Sequence, residues 1–382
     1  MITLDSSAFG PYGPLILAFT LLAAWLATDL LIPWVRRAAI RFGTLDPVDA
    51  RKVHTQPIPR LGGIAIFLGV MLCLALVELA TPGQFFPRQG PLGGILAGAA
   101  LVFLLGVVDD LRPLSARVKL FGQLGAAGLA WLLGCRIEFL SNPQGGLWVL
   151  PLTEGLPLLS LAITVIWLVG ISNTINLIDG LDGLAAGVSL IGGLTLAIIA
   201  LETNQPMSAV IALAVVGATI GFLRYNFNPA KIFMGDGGSL FLGFILAAIS
   251  ILGVLKLVTA VTLLLPLLIL GVPIFDTAFA IVRRLWNRRP IFSPDRGHLH
   301  HRLLSAGLSH RNAVIMIYGF SLLLAGTALV LLHVQGALPM FMAAALFLAW
   351  GIASVFLARA HAPVEAAEPA PGPAPAATAE PR

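Results

Sequence analysis

Long apolar runs separated by short polar stretches fill most of the chain between residues 14 and 358. A helix crossing about 30 Å of hydrocarbon needs roughly 20 such residues. Eleven segments read as spans: 14–35, 62–80, 91–108, 117–134, 157–172, 182–201, 207–223, 237–253, 257–280, 313–333 and 337–358. The pattern predicts an all-α, polytopic integral membrane protein. Several spans are short or rich in Gly, and such helices are expected to pack closely or to stop inside a polar cavity. Residues 1–360 read as one transmembrane domain with its loops. Residues 361–382 are an Ala/Pro/Glu-rich tail that cannot bury a core and is expected to be disordered.

Composition narrows the class. Charged residues make up 11% and hydrophobic ones 58% of the chain, against about 25% charged in a soluble domain. A soluble enzyme, a disordered chain and a fibrous protein are excluded. The net charge of +5 could suit nucleic acid, but its distribution argues for topology instead. With the N-terminus outside and the C-terminus in the cytoplasm, twenty of the 23 Lys and Arg fall inside, leaving Arg88, Arg136 and Lys256 outside. That asymmetry follows the positive-inside rule, so no nucleic acid partner is expected. Cys73 and Cys135 lie in or beside apolar runs and supply neither a disulfide framework nor a Cys metal site. No basic residue precedes Arg36, so the first span is expected to be kept rather than cleaved as a signal peptide.

Each inward loop also carries a polar cluster, which collects nearly all reactive side chains on one face. The first runs from Asp46 through Arg51, Lys52 and His54 to Arg60 and Gly62-Gly63, and the second is Asp109-Asp110-Leu111-Arg112. In the third, Asn173, Asn176, Asp179 and Asp182 recur every three residues, a slowly drifting polar stripe on a helix, with Gly180 and Gly183 beside Asp182. The fourth holds Asn226, Lys231, Phe233 and the run Gly235-Asp236-Gly237-Gly238-Ser239. The fifth sets His298, His300 and His301 among Arg283, Arg284, Arg288, Arg289, Arg296 and Arg302.

Each cluster has a plainer alternative. Asp109-Asp110 could be a solvated helix end, although two adjacent carboxylates there oppose the macrodipole and repel each other unless a cation or proton is shared. The Asn/Asp stripe could be turn chemistry, yet four such groups beside a span more often mark a site. Asp236 could be an ordinary N-cap; a Gly-rich turn entering a helix also receives phosphate, and its carboxylate suits Mg²⁺. The His/Arg loop could merely obey topology or bind zinc, but an anion site for diphosphate fits its arginines better. Asp29 and Asp276 sit inside spans, where ionisable groups are costly. Asp276 is placed to support the site; Asp29 has no evident role. His333 and His361 lie outside the cluster.

In this order the clusters resemble the polyprenyl-phosphate N-acetylhexosamine-1-phosphate transferases, the MraY/WecA superfamily (glycosyltransferase family 4). The stretches that carry the resemblance are RKVHTQPIPRLGG (51–63), GVVDD (106–110), NTINLIDGLDGLAAG (173–187), NPAKIFMGDGGSLFLG (228–243) and HLHHRLL (298–304). It runs from about residue 36 to 312. The first motif, the HLHHRLL form and the eleven spans look more like the WecA/TagO branch than the MraY branch.

The resemblance implies transfer of a sugar 1-phosphate from a UDP-N-acetylhexosamine, UDP-GlcNAc by default, to undecaprenyl phosphate. The site would face the cytoplasm at the bacterial inner membrane. UMP leaves, and a lipid-linked diphospho-sugar forms. It also implies Mg²⁺, with Mn²⁺ as a substitute, held by Asp236. Asp109 and Asp110 would sit by the acceptor phosphate and the metal, Asp109 being the usual candidate base. Asn176, Asp179 and Asp182, with Asn173, would line the nucleotide pocket. Phe233 would stack on uracil with Asn226 close by. His298, His300, His301 and Arg302 would hold the diphosphate and sugar, and Arg60 and Lys231 complete the substrate-binding set. A homodimer would be ordinary for the superfamily.

Elementary chemistry agrees with such a site. Phosphoryl transfer is mostly positioning and charge neutralisation. A phosphate monoester has a second pKa near 6, so the acceptor is largely ionised at pH 7 without a general base. The Gly62-Gly63 and Gly122-x-x-Gly125-x-x-Gly128 runs would permit a lipid groove, or simply close helix packing. A secondary transporter using its cytoplasmic-side carboxylates is the alternative, but it should show mid-membrane carboxylates and paired repeats. A prenyl-transferring enzyme should space its Asp residues more widely than Asp109-Asp110-Leu111-Arg112 does.

Overall fold

A computed structural model describes residues 9–46, 57–88, 90–141, 147–149, 157–253, 264–288 and 297–334, with isolated positions at 341, 345, 348 and 349. Among them are twelve helices: α1 Gly13–Arg41, α2 Gly62–Ala80, α3 Leu92–Leu111, α4 Ala116–Leu132, α5 Pro157–Ile178, α6 Leu184–Glu202, α7 Pro206–Asn226, α8 Gly235–Gly253, α9 Leu264–Ile269, α10 Gly271–Trp286, α11 Leu299–Ser305 and α12 His310–His333. Two small antiparallel pairs join them, β1 Leu45–Asp46 with β2 Ile58–Pro59 and β3 Phe139–Ser141 with β4 Leu147–Val149. The architecture is all-α and multi-pass. Eight helices (α1, α2, α3, α5, α6, α7, α8 and α12) are long and apolar enough to cross a membrane.

Two expected spans differ. Segment 117–134 forms α4, whose 17 residues reach only about 26 Å at 1.5 Å per residue. Segment 257–280 is broken at Leu270 into α9 and α10. Pro273 explains the break: it lacks the N–H that would bond the Ile269 carbonyl, and its ring clashes with that carbonyl. Residues 254–263, the expected span 337–358 apart from those isolated positions, and the tail 361–382 lie outside the described residues.

Helix α8 is the hub, with 94% of its span buried by α2, α3, α5, α6 and α7. Phe67 and Phe103 stack with ring centroids 4.0 Å apart, and Phe241 meets Phe67 edge-on at 5.2 Å, which ties α2 and α3 to α8. The outer helices keep large apolar side chains on the outside, Leu15, Leu22, Leu26 and Leu30 on α1 among them. That is the expected face toward lipid rather than water.

Backbone contact brings the hub close. A Cβ on Gly106 would lie 2.5 Å from the Gly237 nitrogen, and one on Gly63 would lie 2.3 Å from Gly238. Only glycine permits these crossings. They draw the start of α2 and the end of α3 onto the start of α8. The C-terminal ends of α3, α5 and α7 and the N-terminal ends of α2, α6, α8 and α12 thus gather at one end of the bundle.

Candidate active site

The site is built around the first turn of α8. Gly235 has φ +75°, a conformation that favours glycine, and leaves room for the Asp110 carboxylate. Asp110 Oδ1 accepts from the Asp236 N–H at 2.9 Å and Oδ2 from the Gly237 N–H at 3.0 Å. A negative charge is favourable at a helix N-terminus. Arg60 donates to Asp110 Oδ1 at 2.9 Å and lies 4.0 Å from Asp236 and 3.8 Å from Asp46. Asp110 was expected beside the acceptor phosphate and the metal. Its side chain is 1% exposed, with both oxygens bonded to the start of α8, so it anchors that helix beside Asp236.

Arg60 is itself pinned by backbone pairing. The Phe233 N–H donates to the Pro59 carbonyl at 2.7 Å, while the Gly62 and Gly63 N–H groups donate to the carbonyls of Phe233 and Met234. The loop before α2 and the loop before α8 are therefore stitched together, and Phe233 is held in the cavity wall.

Next to this anchor stand Asp109 and Asp236, within hydrogen-bonding reach of each other. Lys119 from α4 sits between them, its Nζ 2.8 Å from Asp109 Oδ2 and 3.0 Å from Asp236 Oδ2. Asp109 Oδ1 accepts the Leu114 N–H at 2.6 Å. Both oxygens of Asp109 are thus engaged in holding the turn into α4 and Lys119.

The turn between α5 and α6 forms the far wall. Asp182 Oδ2 accepts from the Asn228 side chain at 2.9 Å and the Ala230 N–H at 3.0 Å. Asn226 accepts the Gly183 N–H and donates to the Ile232 carbonyl, both at 2.9 Å. Asn176 donates to Ser239 at 2.9 Å, linking α5 to α8. Asp179 lies in the cavity wall, where burial and the Asp236 and Asp110 carboxylates push it up to about 7.

The histidine cluster divides. His298 Nδ1 pairs with Asp276 Oδ2 at 2.9 Å, and Asp276 Oδ1 accepts the Leu299 N–H at 2.8 Å, so both buried residues hold the start of α11. The His300 ring packs against Gly180, and burial, reinforced by His301, pushes it down to about 3. His301 alone of the three faces the cavity.

That cavity, about 500 Å³, is lined by Arg60, Asn176, Asp179, Asp182, Asn226, Phe233, Asp236 and His301 from the expected set, joined by Asp46 and His310. Others lie elsewhere. Asn173 pairs with Gln123, its Nδ2 donating to Gln123 Oε1 at 2.6 Å, because the polar stripe drifts off the cavity side of α5. Lys231 is exposed, its main chain bonded to Tyr225 and Arg36. His298, His300 and Arg302 stand outside the lining. Asp29, left without a role, pairs with Arg224 at 3.0 Å and joins α1 to α7.

Sequence reasoning missed Lys119 and His310. Lys119 was counted only as a topology charge, and its place one helix turn into α4 after Asp109-Asp110 was the available signal. His310 follows Ser309, whose side chain accepts the Asn312 N–H at 3.3 Å, an N-cap that marks a helix start facing the same end.

Mg²⁺ is usually held by one or two carboxylates plus substrate phosphates. Asp236 and Asp109, adjacent and hard, fit that donor set. Among the described residues no group of three His, Cys, Asp or Glu side chains forms a ready cage.

Residues 92–254 match the family described as "Glycosyl transferase family 4". The chain is 46% identical over 309 residues to the "Probable undecaprenyl-phosphate N-acetylglucosaminyl 1-phosphate transferase" of Bacillus subtilis (strain 168), covering 80% of this chain and 82% of that one. It is 37% identical over 331 residues to the "Decaprenyl-phosphate N-acetylglucosaminephosphotransferase" of Mycolicibacterium smegmatis, covering 79% of each chain. It is 26% identical over 313 residues to the "Undecaprenyl-phosphate alpha-N-acetylglucosaminyl 1-phosphate transferase" of Escherichia coli (strain K12), covering 78% and 79%.

Proposed function

The chain belongs to glycosyl transferase family 4, and from that premise we propose that it transfers N-acetylglucosamine 1-phosphate from UDP-GlcNAc to undecaprenyl phosphate. UMP is released and a lipid-linked diphospho-sugar forms, the first membrane step of a cell-envelope polysaccharide. The active site faces the cytoplasm, with the chain in the bacterial inner membrane as a homodimer. The observation that carries the reading is the Asp109–Lys119–Asp236 arrangement beside a cavity of about 500 Å³ that a nucleotide sugar can fill. The transporter alternative draws no support from the relatives.

The chemistry joins two anions, so cations must lower their repulsion. Arg60 supplies fixed positive charge in the cavity wall, and Lys119 supplies it through its contact with Asp236, which lines the cavity. Asp236 and Asp109 are the residues that would hold Mg²⁺, which when bound neutralises charge on the phosphates being joined. Asp236 is aimed by the anchored start of α8, so the Asp110 bonds set its position. Asp109 positions Lys119 and the acceptor side; an acceptor phosphate already ionised at pH 7 needs no base from it. Phe233 offers a ring for the uracil face, with Asp182 and Asn226 fixing the wall behind it.

The test is UMP release by the purified chain with undecaprenyl phosphate, Mg²⁺ and a panel of UDP-sugars. Release with UDP-GlcNAc, abolished by chelation and by Asp236→Ala, is expected. No UMP from any sugar, or full activity in Asp236→Ala, overturns the reading.

A further inference from the structure

The turn at residues 179–183, between α5 and α6, brings Asp179 and Asp182 into the cavity wall. Its backbone is held from two sides. From the end of α7, Asn226 accepts the Gly183 N–H at 2.9 Å. From α12, the Tyr318 hydroxyl donates to the Gly183 carbonyl, and His310 Nε2 accepts the Asp182 N–H at 2.8 Å. A peptide N–H is always the donor, so the ring nitrogen facing it carries no proton. Neighbouring backbone groups of one turn are thus fixed by side chains of two other helices.

The seat for Tyr318 is cut into α6. A Cβ on Gly187 would collide with the ring and hydroxyl of Tyr318, so the glycine that closes the 173–187 stretch is the notch that admits this side chain. Beside it, Arg311 lies 5.8 Å over the Phe227 ring, which borders Gly183. The start of α12 and Tyr318 therefore bear on the same turn. Asp182 Oδ2 has its own bonds to Asn228 and Ala230. Among the described residues the Asp179 carboxylate has no hydrogen-bond partner, and it is the backbone of this turn that aims it into the wall.

We propose that His310 and Tyr318 are positioning residues. From α12 they fix the turn that carries Asp179 and Asp182, and so set how well the cavity takes the nucleotide sugar. The inference rests on the donor assignment above and adds to it two residues that act through others, since small misplacement of a binding wall is costly.

The experiment measures kcat and both KM values by UMP release from the full chain in lipid nanodiscs, with the melting temperature as folding control. Tyr318→Phe keeps the ring in its notch and removes only the hydroxyl. His310→Gln keeps an acceptor within reach of the Asp182 N–H, whereas His310→Leu fills similar volume without one. Tyr318→Phe and His310→Leu are each expected to raise the KM for UDP-GlcNAc about three- to tenfold, up to the worth of one hydrogen bond. The KM for undecaprenyl phosphate should not change, and His310→Gln should stay near the wild type. The Tyr318→Phe/His310→Leu pair should lose less than the two single changes multiplied, because both bonds hold one backbone link. A purely structural role would thin the folded population, which lowers kcat and leaves both KM values where they were.

Folded Tyr318→Phe and His310→Leu proteins with the wild-type donor KM overturn the inference, and so does a loss confined to kcat. His310→Gln no better than His310→Leu removes His310 from it. Should His310→Leu not fold, Tyr318→Phe decides alone. A wild type that releases no UMP removes the donor assignment itself, and the inference with it.

Discussion

The ammonium of Lys119 stands 3.0 Å from the carboxylate of Asp236, although 117 positions separate them in the chain. The same ammonium lies 2.8 Å from Asp109, so one cation holds two adjacent carboxylates together. Removing it leaves two like charges in contact, which is strongly destabilising. Lys119→Met is expected to lower the melting temperature by several degrees in EDTA. Added Mg²⁺ should restore most of that loss, because a divalent ion offsets the same repulsion. Turnover should stay at least a hundredfold below wild type, since the cation that fixes Asp109 and Asp236 is gone. Thermal melts with and without Mg²⁺, beside UMP release, check both halves; a variant indifferent to Mg²⁺ in its melting would contradict the arrangement.

Asp110 and Asp236 differ in what their loss should do. Asp110 accepts two N–H groups of α8 and an Arg60 bond while nearly fully buried. Asp110→Asn turns an amide N–H₂ toward those donors, and about 2–3 kcal/mol of stability should go with it. Asp236→Asn is expected to lose activity while keeping most of its stability. Melting temperatures of the two variants test this, and an Asp110→Asn protein as stable as wild type but inactive would mean that Asp110 acts on substrate directly.

How far the chain could be read follows from which signals are local. Span positions needed only runs of apolar residues, and the reactive clusters needed only polar residues interrupting them. The break at Leu270 was legible through Pro273, which the apolar average over 257–280 concealed. What the chain did not reveal was partner choice across helices. Asp109 and Asp110 are adjacent yet point to different tasks, because successive helix positions diverge by about 100°. Asn173 shares the spacing of Asn176 but drifts toward Gln123 on α4. The three histidines likewise look alike in sequence, and only the fold of α11 against Asp276 and Gly180 separates one cavity residue from two packing ones.

Asp179 gives a stability signature that runs opposite to that of a salt-bridged carboxylate. Burial and the neighbouring Asp236 and Asp110 carboxylates raise it to about 7 from an ordinary 3.8. Between those values the folded protein binds a proton that the unfolded chain does not, so stability falls as pH rises from about 4 to about 7. Asp179→Asn removes the ionisation. Without divalent ions it should melt at a higher temperature than wild type at pH 8, with the gap closing as pH falls toward 4. A constant gap across that range would place the effect outside this carboxyl.

His300 should titrate stability in the other direction. Its ring is buried against Gly180 and held at about 3, below an ordinary 6.5, by desolvation and by His301. The unfolded chain protonates this imidazole in the window between those values while the folded protein does not. Stability that is full above about pH 6.5 is therefore lost progressively as pH falls toward 3. His300→Gln gives up ring packing and should be less stable than wild type at pH 8. Its further loss on acidification to pH 5 should nevertheless be the smaller of the two. The check is the slope of melting temperature against pH between 8 and 5 for both proteins, since the slope removes the pH-independent packing cost. Equal slopes would mean that the buried His300 ring is not what makes the folded protein sensitive to acid.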